Sequence, residues 1–144
     1  MIILKYNFTL VAMKFVFYTF FFISSFNAYS HHPGHKIEAN VPYPSIDMEI
    51  YKDSIDGYNL FIDLKNFTLD PSQVGRVVKA NTGHLNLFVN EIKIGRIYSN
   101  WFHIPQRFFN LEENNIKVTL NSNLHEAFTI EDEPIFEELI VIID

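Results

Sequence analysis

From Ser45 onward, apolar residues recur at every second position and not at the spacing of a helix face. Ile46, Met48 and Ile50 alternate with Asp47 and Glu49. After the turn signal Asp56-Gly57, Tyr58, Leu60, Ile62 and Leu64 alternate with Asn59, Asp63 and Lys65. Leu85, Leu87 and Val89 share one face and His84 and Asn86 the other, and Ile116, Val118 and Leu120 repeat the pattern. Successive side chains of a strand point to opposite faces, so a period of two marks half-buried strands. The turn Asn90-Glu91 leads into Ile92 to Tyr98, and Ile135 to Ile143 is an apolar run long enough for a central strand. Six or seven such strands in roughly 100 residues predict an all-β fold. The expected architecture is a single antiparallel immunoglobulin-like sandwich of about seven strands, with a small closed barrel as the alternative.

The first thirty residues carry Lys5 and Lys14 and no acidic residue. Lys14 precedes the apolar run Phe15 to Phe26, and Ala28-Tyr29-Ser30 places small residues at the two positions a signal peptidase reads. A positive start, a short apolar stretch and a small-x-small exit predict a secretory signal over residues 1–30. Met13 opens a conventional signal by itself and is an alternative start. The competing reading is an uncleaved anchor, for which the run is short against a span of about 20 residues. The expected location is exported, periplasmic or extracellular, with membrane contact only if the signal is retained. Residues 31–44, with His31, His32, His35, Pro33, Gly34, Pro42 and Pro44, read as an extended leader, and residues 45–144 as the sandwich. In a eukaryotic secreted protein, Asn66-Phe67-Thr68 would be a glycosylation sequon.

Composition removes several function classes. The chain has no Cys, which excludes disulfides, zinc-thiolate sites and thiol nucleophiles. Its net charge is −6. Loss of Lys5 and Lys14 with the signal leaves 9 basic residues against 17 acidic, a net charge of −8. A nucleic-acid binder needs a basic face, so no nucleic-acid partner is expected. None of the serines lies in G-x-S-x-G, and the glycine patterns of phosphate loops and dinucleotide folds are absent. The expectation is a non-enzymatic protein.

All six histidines lie beyond the signal: His31, His32, His35, His84, His103 and His125. Strand counting suggests where they meet. With antiparallel neighbours, His84 opens its strand at one end, and the hairpin at Asn90 returns Tyr98 to His103 to that end. A strand at Asn115 to Leu120 paired with the His84 strand delivers His125 there as well. Neutral imidazole is the commonest metal ligand, and three imidazoles without Cys suit copper(II), zinc or nickel rather than copper(I). The expected cofactor is copper(II), or zinc, held by His84, His103 and His125. Asn86, beside His84, and Glu126, after His125, are candidates for supporting or weak ligands. Cleavage at Ser30 would make His31 the new N-terminus, whose α-amine and imidazole chelate copper(II), and His32 adds a second ring. Expected partners are the metal ion and an envelope protein. The reading from another class is a metal-free module that binds an envelope protein or a glycan through its rim loops.

Three segments form an ordered series: Gly83-His84-Leu85-Asn86-Leu87-Phe88-Val89-Asn90, then Arg96-Ile97-Tyr98 with Trp101-Phe102-His103, then Val118 to His125. The series resembles a group of small, largely uncharacterised exported bacterial proteins with the pattern GHxHLYVNG, RLYGxWxHL and VTLNxNxH. The likeness runs from about Pro42 to the C-terminus. It implies one immunoglobulin-like or cupredoxin-like domain outside the cytoplasm and brings no known activity. His84, His103 and His125 stand where that pattern also has His. Asn86 replaces a second strand His, and Glu91 replaces a turn Gly. In size and layout the chain also looks similar to small secreted sandwich proteins that carry copper with an N-terminal histidine.

Two further clusters read as structural. Trp101, Phe102, Phe108 and Phe109 suit a carbohydrate-stacking platform, but aromatics at this density in a sandwich are expected in the core. Glu131-Asp132-Glu133 with Glu137-Glu138 lacks the alternating ligands and Gly turn of a calcium loop, and reads as a solvated charge run.

Overall fold

The computed structural model describes residues 35–143. Residues 1–34, with the expected signal, His31 and His32, lie outside the described residues. The described chain begins with strands β1 (Lys36–Glu38), β2 (Ser45–Lys52), β3 (Tyr58–Lys65), β4 (Thr68–Leu69), β5 (Thr82–Val89) and β6 (Ile92–Ile97). It continues with β7 (Trp101–Ile104), β8 (Glu113–Ser122), β9 (Ala127–Ile130), β10 (Glu133–Pro134) and β11 (Phe136–Ile142). Two 3₁₀ turns, Pro71–Gln73 and Gln106–Phe108, are the helical pieces among the described residues. None of them is long and apolar enough to cross a membrane.

The fold is an all-β sandwich. One sheet is β2-β3-β7, antiparallel throughout. The other holds the remaining eight strands around β5 and β8, which pair antiparallel from Gly83↔Ser122 to Val89↔Ile116. The far edge of β8 is shared: β11 covers Glu113 to Thr119, and β9 takes over at Asn121↔Ala127. The core is what the alternation dictates. Leu60, Leu85, Leu87, Ile104, Ile116, Val118, Leu120 and Phe128 are fully buried, and Met48, Ile62 and Val89 nearly so. Each such side chain contributes about 1.5–3 kcal/mol through its removal from water, which allows one core to hold without a disulfide.

Two features depart from the sequence reading. The large sheet is mixed, because β1 lies parallel to β9 and β4 parallel to β5. The domain also begins earlier than Ser45. Within the expected leader, Lys36–Glu38 is a strand, Ile37 packs on the core and Ala39 is buried. Three residues are too few to display a period, so this strand is defined by its partner. Glu38 clamps it there, its carboxylate accepting from Thr129 Oγ1 at 2.8 Å and from the Glu131 amide at 2.9 Å.

The hairpin between β5 and β6 turns as expected on Asn90 and Glu91, at φ 50° and 65°. Two left-handed residues make the turn whose twist matches the flanking strands. At the other end of β5, a Cβ on Gly83 would collide with the Asn121 carbonyl. Glycine thus lets β5 and β8 approach closely, one residue before His84.

Candidate functional site

His84 lies on the face of β5 that points away from the core, yet it is fully buried. Its cover comes from both neighbouring strands. Tyr98 follows β6, whose Ile97 pairs with Leu85, and the Tyr98 ring centre is 5.8 Å from that of His84. On the other side β8 ends at Ser122 and turns back through Asn123, Leu124 and His125. Ser122 holds this turn: its amide donates to Glu126 O at 2.8 Å, its hydroxyl to Glu126 Oε2 at 2.9 Å, and its carbonyl accepts from the His125 amide at 2.9 Å. His125 adopts a left-handed φ of 71°, and its ring stands 5.6 Å from that of His84, centre to centre.

Buried polar groups almost always have partners. Among the described residues, every buried side-chain polar atom without a hydrogen-bond partner belongs to this one patch. They are His84 Nδ1 and Nε2, Asn86 Oδ1, Tyr98 Oη and Asn123 Oδ1. The amides are oriented by their other ends. Asn86 Nδ2 donates to Asn121 Oδ1 at 2.8 Å, and Asn123 Nδ2 donates to Asp70 O at 2.9 Å. Both free carbonyl oxygens are therefore set by the fold.

The electrostatics keep His84 neutral. Burial holds its pKa down to about 4, aided by the positive charge of Arg96, by the neighbouring His125 ring and more weakly by Lys93. The Asn123 side chain acts in the opposite sense, although neither partner completes a hydrogen bond. At neutral pH the ring carries an unprotonated nitrogen with a free lone pair. Arg96 caps the exposed His125, its Nη2 standing 3.1 Å from Nδ1 and 3.4 Å from Nε2.

The expected three-histidine cluster is only partly assembled: His84 and His125 meet, and His103 goes elsewhere. The expected placement of His103 requires Tyr98 to His103 to be one returning strand. The chain instead leaves the large sheet after Ile97, crosses through Ser99 and Asn100, and restarts as β7 in the other sheet. Asn100 is tied to Ile62 by two bonds of 2.8 and 2.9 Å, whereas His103 pairs with Asn59. The Lys65 end of β3 leads into β4, beside Gly83. His103 is thus carried to the opposite end of β3, where its Nε2 is 4.0 Å from Asp56 Oδ2.

Asn86 does stand one step along the same face as His84, with its free oxygen in the patch. Glu126 is occupied by Ser122 instead. Tyr98, Asn123 and Arg96 carry no expected site role in the sequence, yet stand around His84 and His125. The available signal was register: Arg96 and Tyr98 alternate on the face that carries Asn86 and His84, and Asn121, Asn123 and His125 recur at every second position.

No three His, Cys, Asp or Glu side chains among the described residues gather as a metal-holding group. Two imidazoles with amide and phenol oxygens would make a nitrogen–oxygen donor set of the kind suited to copper(II), zinc or nickel. An imidazole nitrogen about 2.0–2.1 Å from an ion places its ring centre roughly 3.2 Å away, so two rings on one ion stand roughly 5–6 Å apart. The spacing of 5.6 Å between His84 and His125 fits. Compared with protein-family models, curated proteins and solved structures, the chain finds no match.

Proposed function

We propose that the protein is an exported, non-catalytic domain that takes a divalent transition metal, copper(II) before zinc, between His84 and His125. The observation that carries this reading is the concentration of unpartnered buried polar atoms around a neutral His84. Asn86 and Asn123 would supply amide oxygens beside the ion and Tyr98 its hydroxyl. Arg96 competes with a cation for His125, so loading requires its exposed side chain to leave that ring. The role is carriage or sequestration of the metal. Export rests on the sequence of residues 1–30, and N-terminal sequencing of protein recovered from outside the cytoplasm tests it.

Metal-stripped protein, titrated calorimetrically with copper(II) and zinc, tests the site. His84→Ala and His125→Ala should each weaken binding at least tenfold, and His103→Ala should not. Metal should also raise the melting temperature of the unaltered protein and not that of His84→Ala, because a ligand stabilises only the fold that binds it. Unchanged affinity and unchanged metal stabilisation in both variants would reject the site, and any binding that remained would be assigned to His31, His32 and His35.

A further inference from the structure

We propose that the outer face of the β2-β3-β7 sheet is a docking surface for a basic, lysine- or arginine-bearing peptide segment. The inference is independent of the metal reading, because it concerns the opposite sheet. Outward positions of a half-buried sheet are ordinarily polar, yet here they carry Tyr51, Phe61 and Trp101, exposed at 55%, 46% and 49%. Register joins them: Phe61 lies between Glu49 on β2 and Trp101 on β7. Tyr51 packs edge-on against Phe61 with ring centres 5.9 Å apart. Phe102, Phe108 and Phe109 pack on the core as expected, whereas Trp101 turns outward. An aromatic patch left in the open marks an interaction surface.

Charge identifies the occupant. Beside Phe61 is a depression of about 470 Å³, lined by Asp47, Glu49, Asp63 and Asn100. None of these three carboxylates belongs to an ion pair among the described residues. Glu49 is already oriented, because the Tyr51 hydroxyl donates to its Oε2 at 2.8 Å. Aromatic faces next to unpaired carboxylates attract a cation twice, through the ring quadrupole and through charge. A flat guanidinium stacks on the rings while its N–H fork reaches the acids. A neutral glycan would use the rings and leave this negative charge without a counterpart.

The chain's one tryptophan is Trp101, so its fluorescence reads occupancy directly. The probes are a hexapeptide of alternating glycine and arginine, its glycine–glutamate counterpart, and a neutral β-linked glucose hexasaccharide. The arginine peptide should shift Trp101 emission with an affinity that falls at least fivefold as salt rises through the range where exposed charges are screened. Glu49→Gln and Asp63→Asn, both exposed and conservative, should each weaken it about threefold, and Phe61→Ala more, while circular dichroism stays unchanged. No emission shift at millimolar arginine peptide, or equal response to the glutamate peptide, overturns the proposal. A salt-insensitive response to the hexasaccharide alone overturns it too and assigns the face to glycans.

Discussion

Burial of a neutral His84 makes acid a specific destabiliser of the metal-free protein. In the unfolded chain His84 takes a proton as pH falls through 6.5, whereas in the fold it refuses one until about 4. Between those values the unfolded state holds more protons, so stability declines as pH falls. The loss is negligible at pH 7.5, reaches about 2 kcal/mol at pH 5 and about 3 kcal/mol at pH 4, and levels off below that, at about 1.4 kcal/mol per pH unit between the two pKa values. The lysine and arginine facing the ring, Lys93 and Arg96 from β6, work in this direction, as does the neighbouring His125 in the β8–β9 turn. His84→Leu isolates the effect, since leucine is similar in size, does not titrate, and removes two unpartnered nitrogens. In chelator, urea unfolding followed by circular dichroism should give a variant at least as stable as the parent at pH 7.5, because loss of an unpaired buried polar group is neutral or favourable. From pH 7.5 to pH 5 the parent should lose about 2 kcal/mol more than the variant. Other titrating groups are common to both proteins and cancel, apart from His125, whose ring stands 5.6 Å from that of His84. Parallel stability profiles, differing by less than about 0.5 kcal/mol across that range, would refute a buried, uncharged His84.

Two backbone predictions follow from dihedral angles and close approaches. Glu91→Gly should stabilise the fold by about 1 kcal/mol in thermal unfolding, because Glu91 holds φ 65° in a two-residue turn whose second position favours glycine. A neutral or destabilising result would show that the turn carries no strain. Gly83→Ala should cost at least about 2 kcal/mol, since the new methyl meets the Asn121 carbonyl, which is backbone and cannot swing away. Its β5–β8 amides should exchange faster than those of β2–β3, and retention of parental melting would count against the close approach.

The sandwich was legible because a strand with one face in the core writes its orientation into every second residue. Leu85, Leu87 and Val89 on β5 and Ile116, Val118 and Leu120 on β8 are both the sequence signal and the buried centre. Short strands escape that logic. β1 has three residues and β4 two, and their parallel pairing depends on partners about 90 and 14 positions away. Trp101 escapes it for another reason. Side-chain chemistry favours its burial, but Phe102 and Ile104 occupy the inward positions of β7 and leave Trp101 the outward one.

The same distinction governs the histidines. The meeting of His125 with His84 needs only antiparallel pairing of β5 and β8, and that pairing runs unbroken from Gly83↔Ser122 to Val89↔Ile116. His103 was misplaced because two residues, Ser99 and Asn100, decide whether a chain continues its strand or changes sheets. No hydrophobic period spans so short a segment; the decision is made by Asn100 bonding to Ile62 on β3. Tyr98, at that branch point, consequently remains over His84 while His103 departs. The rim that results has two imidazoles rather than three, and the buried oxygens of Asn86, Tyr98 and Asn123 have no hydrogen-bond partner. At the proposed site, fewer nitrogen donors would narrow the preference for copper(II) over zinc, so competition between the two ions is a sharper test of the proposal than affinity for either alone.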